Sequence, residues 1–580
     1  MCRRCQPGWY QQHENASVCL PCASGSFAFS DGTQLCSKCV DRLSSHTSAT
    51  ECTVCDAGFY LYDRTKPASQ DNCQPCPAKA SCPSATTMET IVLPRNSWRL
   101  SLRTVDIRSC SEEGDSADST CAGSTGNTNS TPDNAYCMAG HSGPRCEVCS
   151  TSAEYFDRLT SRCRACPSPI RLLSFCIAAV LVVGGLAATM HWLSGVPPQR
   201  LHVCFRGVAA MAHWMLGRSK ALVKRARLQE KFKIIVSFAQ VWTVLGSVYG
   251  VHLSSEFTGW VPTFGYISLS IDELIFPGQC AGSMTLRLLL SAVWPFALIA
   301  VVSASILIFN VVRTAWSRGG RVYSFKKVLL PSAYVALLVS YSALPSASRG
   351  VFAAWRCESF GYDDELRERR SFLSADWTIE CGEASQRSLV LLGWGLLGVW
   401  PVGVFLVYAA LLASCNRAIR SERLSSLAVY VRFLHADYKP KYFFWELVDM
   451  ARKLFLTSFI LFVDEENGSA KVLRLFLAAL FSAVYLLVLC LARPMRRADS
   501  LYLACTANLF LMLSFLSGII IKLCDGGGEV TSDEESQCQA LVGLDSQRQA
   551  SLVVVVTSIV MLAATLLLIV WQASVTSCVT

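Results

Sequence analysis

The chain has 580 residues, 52% of them hydrophobic and 16% charged, with a formal net charge of +9 and 29 cysteines. A positive mean hydropathy over this length excludes an ordinary soluble protein and points to membrane embedding. The basic excess does not imply a nucleic-acid partner, because Lys and Arg collect in short connections between apolar runs, where membrane proteins keep cytoplasmic charge.

The first part, to about Pro169, is polar and holds 18 of the cysteines. Most come as C-x-x-C pairs: Cys2/Cys5, Cys19/Cys22, Cys36/Cys39, Cys52/Cys55, Cys73/Cys76, Cys146/Cys149 and Cys163/Cys166. Cys82, Cys110, Cys121 and Cys137 stand apart. The first four pairs recur every 16 to 17 residues, an internal repeat. In Cys5-Gln-Pro-Gly8-Trp-Tyr10, Cys22-Ala-Ser-Gly25-Ser-Phe27 and Cys55-Asp-Ala-Gly58-Phe-Tyr60, a glycine permits a tight turn. The aromatic after it supplies apolar surface to a unit too small for a large core. Four thiolates can hold zinc, but the even count and the sequons at Asn15 and Asn129 favour disulfides in an oxidising compartment. No charged-then-apolar signal segment precedes Cys2, so a longer natural N-terminus is expected.

These C-x-x-C-x-x-G-x-aromatic repeats resemble those of ephrin-receptor-like and tumour-necrosis-factor-receptor-like ectodomains. Residues 1–95 carry that likeness, although Arg42 and Lys79 replace the turn glycine in two repeats. Residues 96–168 form a second cysteine-rich segment, in which Cys137-Met-Ala-Gly140-His-Ser-Gly143-Pro-Arg-Cys146 resembles the end of an EGF-like module. The resemblance implies a small disulfide-rich ectodomain of short strands and loops, and names no ligand.

Residues 169–572 read as an all-α polytopic membrane bundle of about nine transmembrane helices, followed by a short tail at 573–580. Spans of roughly 20 apolar residues are expected at 170–193, 233–253, 285–311, 328–347, 388–414, 443–463, 471–492, 500–523 and 551–572. With the cysteine array outside, an odd number of spans puts the C-terminus in the cytoplasm. The expected outside loops at 254–284 and 464–470 have no Lys or Arg before the sequence re-enters the bilayer, as the positive-inside rule requires. The 348–387 loop carries arginines balanced by acids such as Asp363, Asp364, Glu365 and Glu368. Cys280, Cys357, Cys381, Cys524 and Cys538 fall in outside loops, where Cys357/Cys381 and Cys524/Cys538 can each close a loop; the sequon at Asn467 falls outside too.

The segment Tyr438–Lys453 carries the candidate site. Tyr442, Phe443, Phe444 and Trp445 suit the headgroup interface, and Glu446, Asp449, Arg452 and Lys453 then run inward at helical spacing. Asp449 can meet Arg452 at i,i+3 and Lys453 at i,i+4. Lys453 is expected near mid-bilayer, where an unpaired charge costs at least roughly 2.5–3.5 kcal/mol, so it must face the bundle or a wet cavity. Either a gate in an ion pathway or a structural ion pair satisfies that demand. Pro295, Pro331 and Pro401 read as tolerated kinks, Gln240 as interhelical glue, and Arg417, Arg420 and Arg423 as juxtamembrane anchors. Residues 198–232 suit an interfacial amphipathic helix. The usual metalloprotease, P-loop and nucleophile-elbow motifs are absent, so no enzyme, cofactor or metal is expected.

Trp445-Glu446 to Arg452-Lys453, with the basic-proline turn Arg493-Pro494 closing the following span, resembles transient-receptor-potential-like (TRP-like) channels. The joining of cysteine-rich repeats to many spans also resembles multispan membrane-protein families of unicellular eukaryotes. The expectation is a plasma-membrane cation channel or channel-like sensor, its partners the lipid bilayer, an extracellular ligand or matrix, and further copies of itself. The alternative is a non-conducting receptor or adhesion protein.

Overall fold

The computed structural model describes residues 4–13, 18–78, 80–110, 119–125, 136–157, 161–166, 228–249, 280, 282–316, 326–421, 425–463 and 470–525, with scattered positions between 552 and 571. They form two compact units: one from Met1–Ala165 with Cys357–Glu383, the other mainly from Cys166–Arg356 and Ala384–Gly526.

The cysteine-rich unit is a ladder of short antiparallel hairpins, pairing Trp9 with Pro21, Phe27 with Ser37, Leu43 with Cys55 and Phe59 with Pro75. No C-x-x-C pair closes on itself among the described residues. The second cysteine of one pair joins the first of the next, giving Cys5–Cys19, Cys22–Cys36, Cys39–Cys52 and Cys55–Cys73. Cys76–Cys82, Cys110–Cys121, Cys137–Cys146 and Cys149–Cys163 continue the series. Closing a loop of about 15 residues removes about 3 kcal/mol of unfolded-state freedom, which offsets the small core. Gly8 has φ +85° and its absent Cβ would lie 2.2 Å from the Ser48 carbonyl oxygen, so the turn requires glycine. The equivalent Arg42 holds φ 67° without that licence, its guanidinium 5.7 Å from the Phe59 ring.

The segment read as a long outside loop completes this unit. Cys357–Asp363, Glu368–Leu373 and Asp376–Glu380 form a three-stranded antiparallel sheet, closed by Cys357–Cys381. Phe360 and Trp377 share a core with Trp98, Met88, Ile91 and Leu100. Phe360 meets Trp98 edge to face at 5.4 Å. Asp364 accepts from Thr104 Oγ1 at 2.9 Å and from Val105 N at 2.7 Å. Arg145 pairs with Glu358 at 2.5 Å, and Trp377 Nε1 donates to Glu147 at 2.9 Å. At Gly361 a Cβ would come within 2.4 Å of Thr104 Oγ1, so glycine allows the strand to approach this closely. Burial, then the Asp364 carboxylate, push the Tyr60 phenol up to about 12.

The helical unit holds part of the expected set of spans. Among the described residues five helices are long and apolar enough to cross a membrane: Met284–Ile308, Leu329–Phe352, Ala384–Arg420, Val472–Ala492 and Ala498–Lys522. They make this a multi-pass membrane protein. The run at 170–193 lies outside the described residues, as does most of 551–572. The runs at 233–253 and 443–463 are shorter helices: α1, Leu228–Trp242, broken at Thr243 before α2, Val244–Tyr249, and a 13-residue helix, Trp445–Thr457, ending in a 3-10 turn at Phe459–Phe462. Lys233 stands at the start of the first run, whereas Glu446, Asp449, Arg452 and Lys453 lie within the second.

The long helices are α3 (Met284–Trp316), α4 (Lys326–Phe352), α5 (Ala384–Leu397), α6 (Phe405–Arg420), α10 (Ala470–Ala492) and α11 (Ala498–Asp525). Between α6 and α10 lie α7 (Ser426–Tyr430), α8 (Arg432–His435) and α9 (Trp445–Thr457). A widened π turn at Gly398–Val404, containing Pro401, joins α5 to α6. Large apolar side chains such as Leu391 (74%) and Leu491 (76%) stay exposed on the long helices, the surface that hydrocarbon solvates.

Two prolines interrupt the helices close to bonds between helices. Pro295 in α3 and Pro345 in α4 offer no N–H to the preceding turn. Three residues before each, a carbonyl takes a side-chain donor from another helix or turn: Trp400 Nε1 to Ala292 O at 3.0 Å, and Gln240 Nε2 to Ser342 O at 2.8 Å. Cys166–Cys280 also belongs to this unit, so Cys166 pairs away from Cys163. Cys524 ends α11, whereas Cys2, Cys538, Asn15, Asn129 and Asn467 lie outside the described residues.

Phe360→Ala should cost the cysteine-rich unit about 3–5 kcal/mol. Amide exchange should accelerate across residues 91–100 and 357–362, while protection of Leu501–Ser517 stays unchanged.

Candidate functional site

A buried ionic cluster occupies the middle of the helical unit. A 3-10 turn at Pro440–Tyr442 leads into α9, whose i, i+3, i+7 face carries Glu446, Asp449 and Lys453, with Arg452 beside them. Glu446, Arg452 and Lys453 are buried and Asp449 is nearly so. On α1 the matching face carries Lys233, Ser237 and Gln240, all buried. Contacts between increasing residue numbers on both, 233 with 446 and 237 with 452, make α1 and α9 parallel.

Two ionic groups follow. Lys233 Nζ lies 3.1 Å from Glu446 and 3.0 Å from Asp437, donates to the Phe433 carbonyl, and sits 4.0 Å from the Phe433 ring. The α10–α11 turn presents Asp437: Arg496 N donates to Asp437 O at 3.1 Å and Lys439 N to Pro494 O at 2.8 Å. In the second group, Arg452 forks onto Asp449 at 2.9 and 3.1 Å and also donates to Ser237 Oγ at 2.7 Å and Asn508 Oδ1 at 3.0 Å. Tyr485 Oη donates to Asp449 at 3.3 Å. Lys453 Nζ lies 3.6 Å from Asp449 and 3.6 Å from the Tyr341 ring centroid, with no hydrogen-bond acceptor among the described residues.

Asp437, Glu446 and Asp449 balance Lys233, Arg452 and Lys453, so the cluster is formally neutral. That balance is what an apolar surround demands of buried charge. Arg452's fork can hold a carboxylate at two points, whereas Lys453 is a point charge resting on an aromatic face. The sequence-selected residues Glu446, Asp449, Arg452 and Lys453 are thus gathered in one place, but Glu446 pairs across helices to Lys233. Lys233, Ser237, Asp437, Tyr341, Tyr485 and Asn508 were missed. The spacing Lys233-x-x-x-Ser237-x-x-Gln240 in an apolar run was the available signal for α1.

Other candidates lie apart. Arg420 stacks 5.7 Å from the Phe443 ring near the end of α6, and Arg423 lies outside the described residues. Sulfurs of Cys110, Cys121 and Cys146 lie within 4.8 Å of one another, but all three are in disulfides and have no thiolate for a metal. No protein-family model, curated protein or solved structure matches the chain.

Lys233→Met should destabilise the protein by about 3–5 kcal/mol, because it leaves buried carboxylates without their cation. Adding Glu446→Leu should recover part of that loss, so thermal unfolding in detergent should show the double variant above the sum of the singles.

Proposed function

We propose that this multi-pass membrane protein is a plasma-membrane cation channel or channel-like sensor, with the cysteine-rich unit outside, the C-terminus in the cytoplasm, and no enzymatic role. The observation that carries the reading is the neutral ionic cluster in the bundle. Apolar residues of similar volume fill such a space at lower desolvation cost, so retained ionisable groups inside a membrane bundle point to ion movement or gating. The ephrin-receptor-like and TRP-like resemblances support the same reading.

A sensor also needs a route from ligand or tension to the helices. The strands at Cys357–Glu380 belong to the cysteine-rich unit, and their ends continue in the chain into α4 and α5. Loads on the cysteine-rich unit therefore have a covalent path to two helices. The same feature favours the second reading, a non-conducting receptor or adhesion protein that signals through helix displacement.

Whole-cell and planar-bilayer currents from the full chain, beside Lys453→Ala, separate the two. The channel reading expects a cation current whose open–closed ratio shifts about tenfold, or about 1.4 kcal/mol, in the variant. Silence from both at normal surface delivery, across ligand, voltage and tension stimuli, overturns it and leaves the receptor.

A further inference from the structure

A small polar cavity lies beside the ionic cluster along α1, α4 and α9, and polar side chains on the three helices form a file from one towards the other. Lys453 on α9 meets Tyr341 on α4, and Gln240 on α1 donates to the Ser342 carbonyl on α4. One turn beyond Lys453, Thr457 lines a cavity with Gln240, Thr243, Ser346 and Arg349, flanked by Val244 and Pro345. The three helices run parallel, so their polar positions advance together. From Glu446 to Thr457 the file rises about 16 Å at about 1.5 Å per residue, more than half of a hydrocarbon layer of about 30 Å.

Three polar atoms along this file are buried without a hydrogen-bond partner among the described residues: Lys453 Nζ, Ser342 Oγ and Gln240 Oε1. Their residues are 1%, 5% and 5% exposed. Orphaned groups of this kind are costly, and three on three adjoining helices call for a shared explanation. Gln240 is the telling case. Its amide nitrogen is engaged by the carbonyl near Pro345, while its oxygen lacks a donor and its side chain lines the cavity.

The cavity offers about 10 Å³ to the centre of a water molecule. That is room for one water. A metal cation would have to shed its shell and find several oxygen ligands in the same space. A proton needs only donors and acceptors brought within reach of one another, and Asp449, Lys453, Ser342, Gln240, Thr457 and one water are the groups along this route. Lys453 rests on the Tyr341 ring face, so its link to Ser342 and Gln240 forms by side-chain movement.

We infer that the ion passed along this file, within a single copy of the chain, is the proton. The inference rests on the channel reading and names its ion. Lys233, Asp437, Glu446 and Arg452 face the file from α1, the α8–α9 connection and α9, and Tyr485 from α10. They hold its charge balance, while Lys453 and Gln240 connect the cluster to the cavity.

The test uses full-length protein in phosphatidylcholine–phosphatidylglycerol vesicles holding either a pH dye or a sodium dye, with the potential set by potassium and valinomycin. Wild type should pass protons well above protein-free vesicles and pass no sodium. Gln240→Leu, checked as monodisperse and helical, should cut proton flux by about a hundredfold, the low end for removing a positioned proton-transfer group. Gln240→Glu should restore much of it. Sodium flux without proton flux in wild type overturns the inference and keeps the channel. Proton flux unchanged in folded Gln240→Leu overturns this route. Neither ion moving overturns the channel reading itself.

Discussion

The helical unit is organised around one demand: charges removed from water must be neutralised where they stand. Lys233 cannot be buried without Asp437 and Glu446, nor Arg452 without Asp449. Removing either partner leaves an uncompensated charge, a penalty far above the worth of an exposed pair. This demand holds α1 and α9 side by side and parallel, and draws in the 437–439 segment by way of the α10–α11 turn. It also gives these two helices a different character from the apolar ones. Their buried faces carry the ions, and the helices with exposed leucines carry the contact with lipid.

The same logic operates on uncharged groups. A proline inside a helix frees carbonyl oxygens that no lipid can satisfy. Close to Pro295 and Pro345, Trp400 and Gln240 donate to the Ala292 and Ser342 carbonyls. Tyr249 does likewise where α9 runs out, donating from its hydroxyl to Leu456 O at 2.7 Å. Polar side chains in this bundle are therefore placed by carbonyls on neighbouring helices and by ions. Gln240 ties α1 to α4 through its amide nitrogen, and its side chain lines the polar cavity.

What the sequence disclosed follows from the range over which each interaction acts. The cysteine ladder was readable because every link spans 13 to 18 residues in its first four disulfides, and the turn geometry is local. The apolar helices were readable because hydropathy is additive along a segment. Within α9, Asp449, Arg452 and Lys453 meet at i,i+3 and i,i+4, spacings that a helix imposes. Lys233 and Glu446 are 213 residues apart, and no periodicity announces that pairing. Hydropathy sums a segment without asking whether its polar residues have partners, so it left the pairing of α1 with α9 unread. The 357–380 sheet did carry a local signal in the alternation of Phe360 with Tyr362 and Trp377 with Ile379, masked by the acids and arginines between them. Asp363 and Asp364, which looked like simple balance for the loop's arginines, instead meet residues 103–105.

The disulfide at Cys357–Cys381 closes the excursion of the chain between α4 and α5. It holds the first and last strands of the sheet with their Cα atoms 6.4 Å apart, so the chain leaves and re-enters the helical unit at one closed point. Four residues separate Cys357 from the end of α4, and two separate Cys381 from the start of α5. Within the helical unit, Tyr408 on α6 donates to Leu337 O at 2.9 Å and meets Ser340 Oγ at 2.6 Å, tying α6 to α4 a short way before Tyr341. Motion arriving through this closed point would thus act on α4 as part of a coupled set of helices. Tyr341, Ser342 and Pro345 are the α4 residues that meet Lys453, Gln240 and the cavity, so the covalent path from the cysteine-rich unit ends on the helix whose carbonyls the polar file depends on.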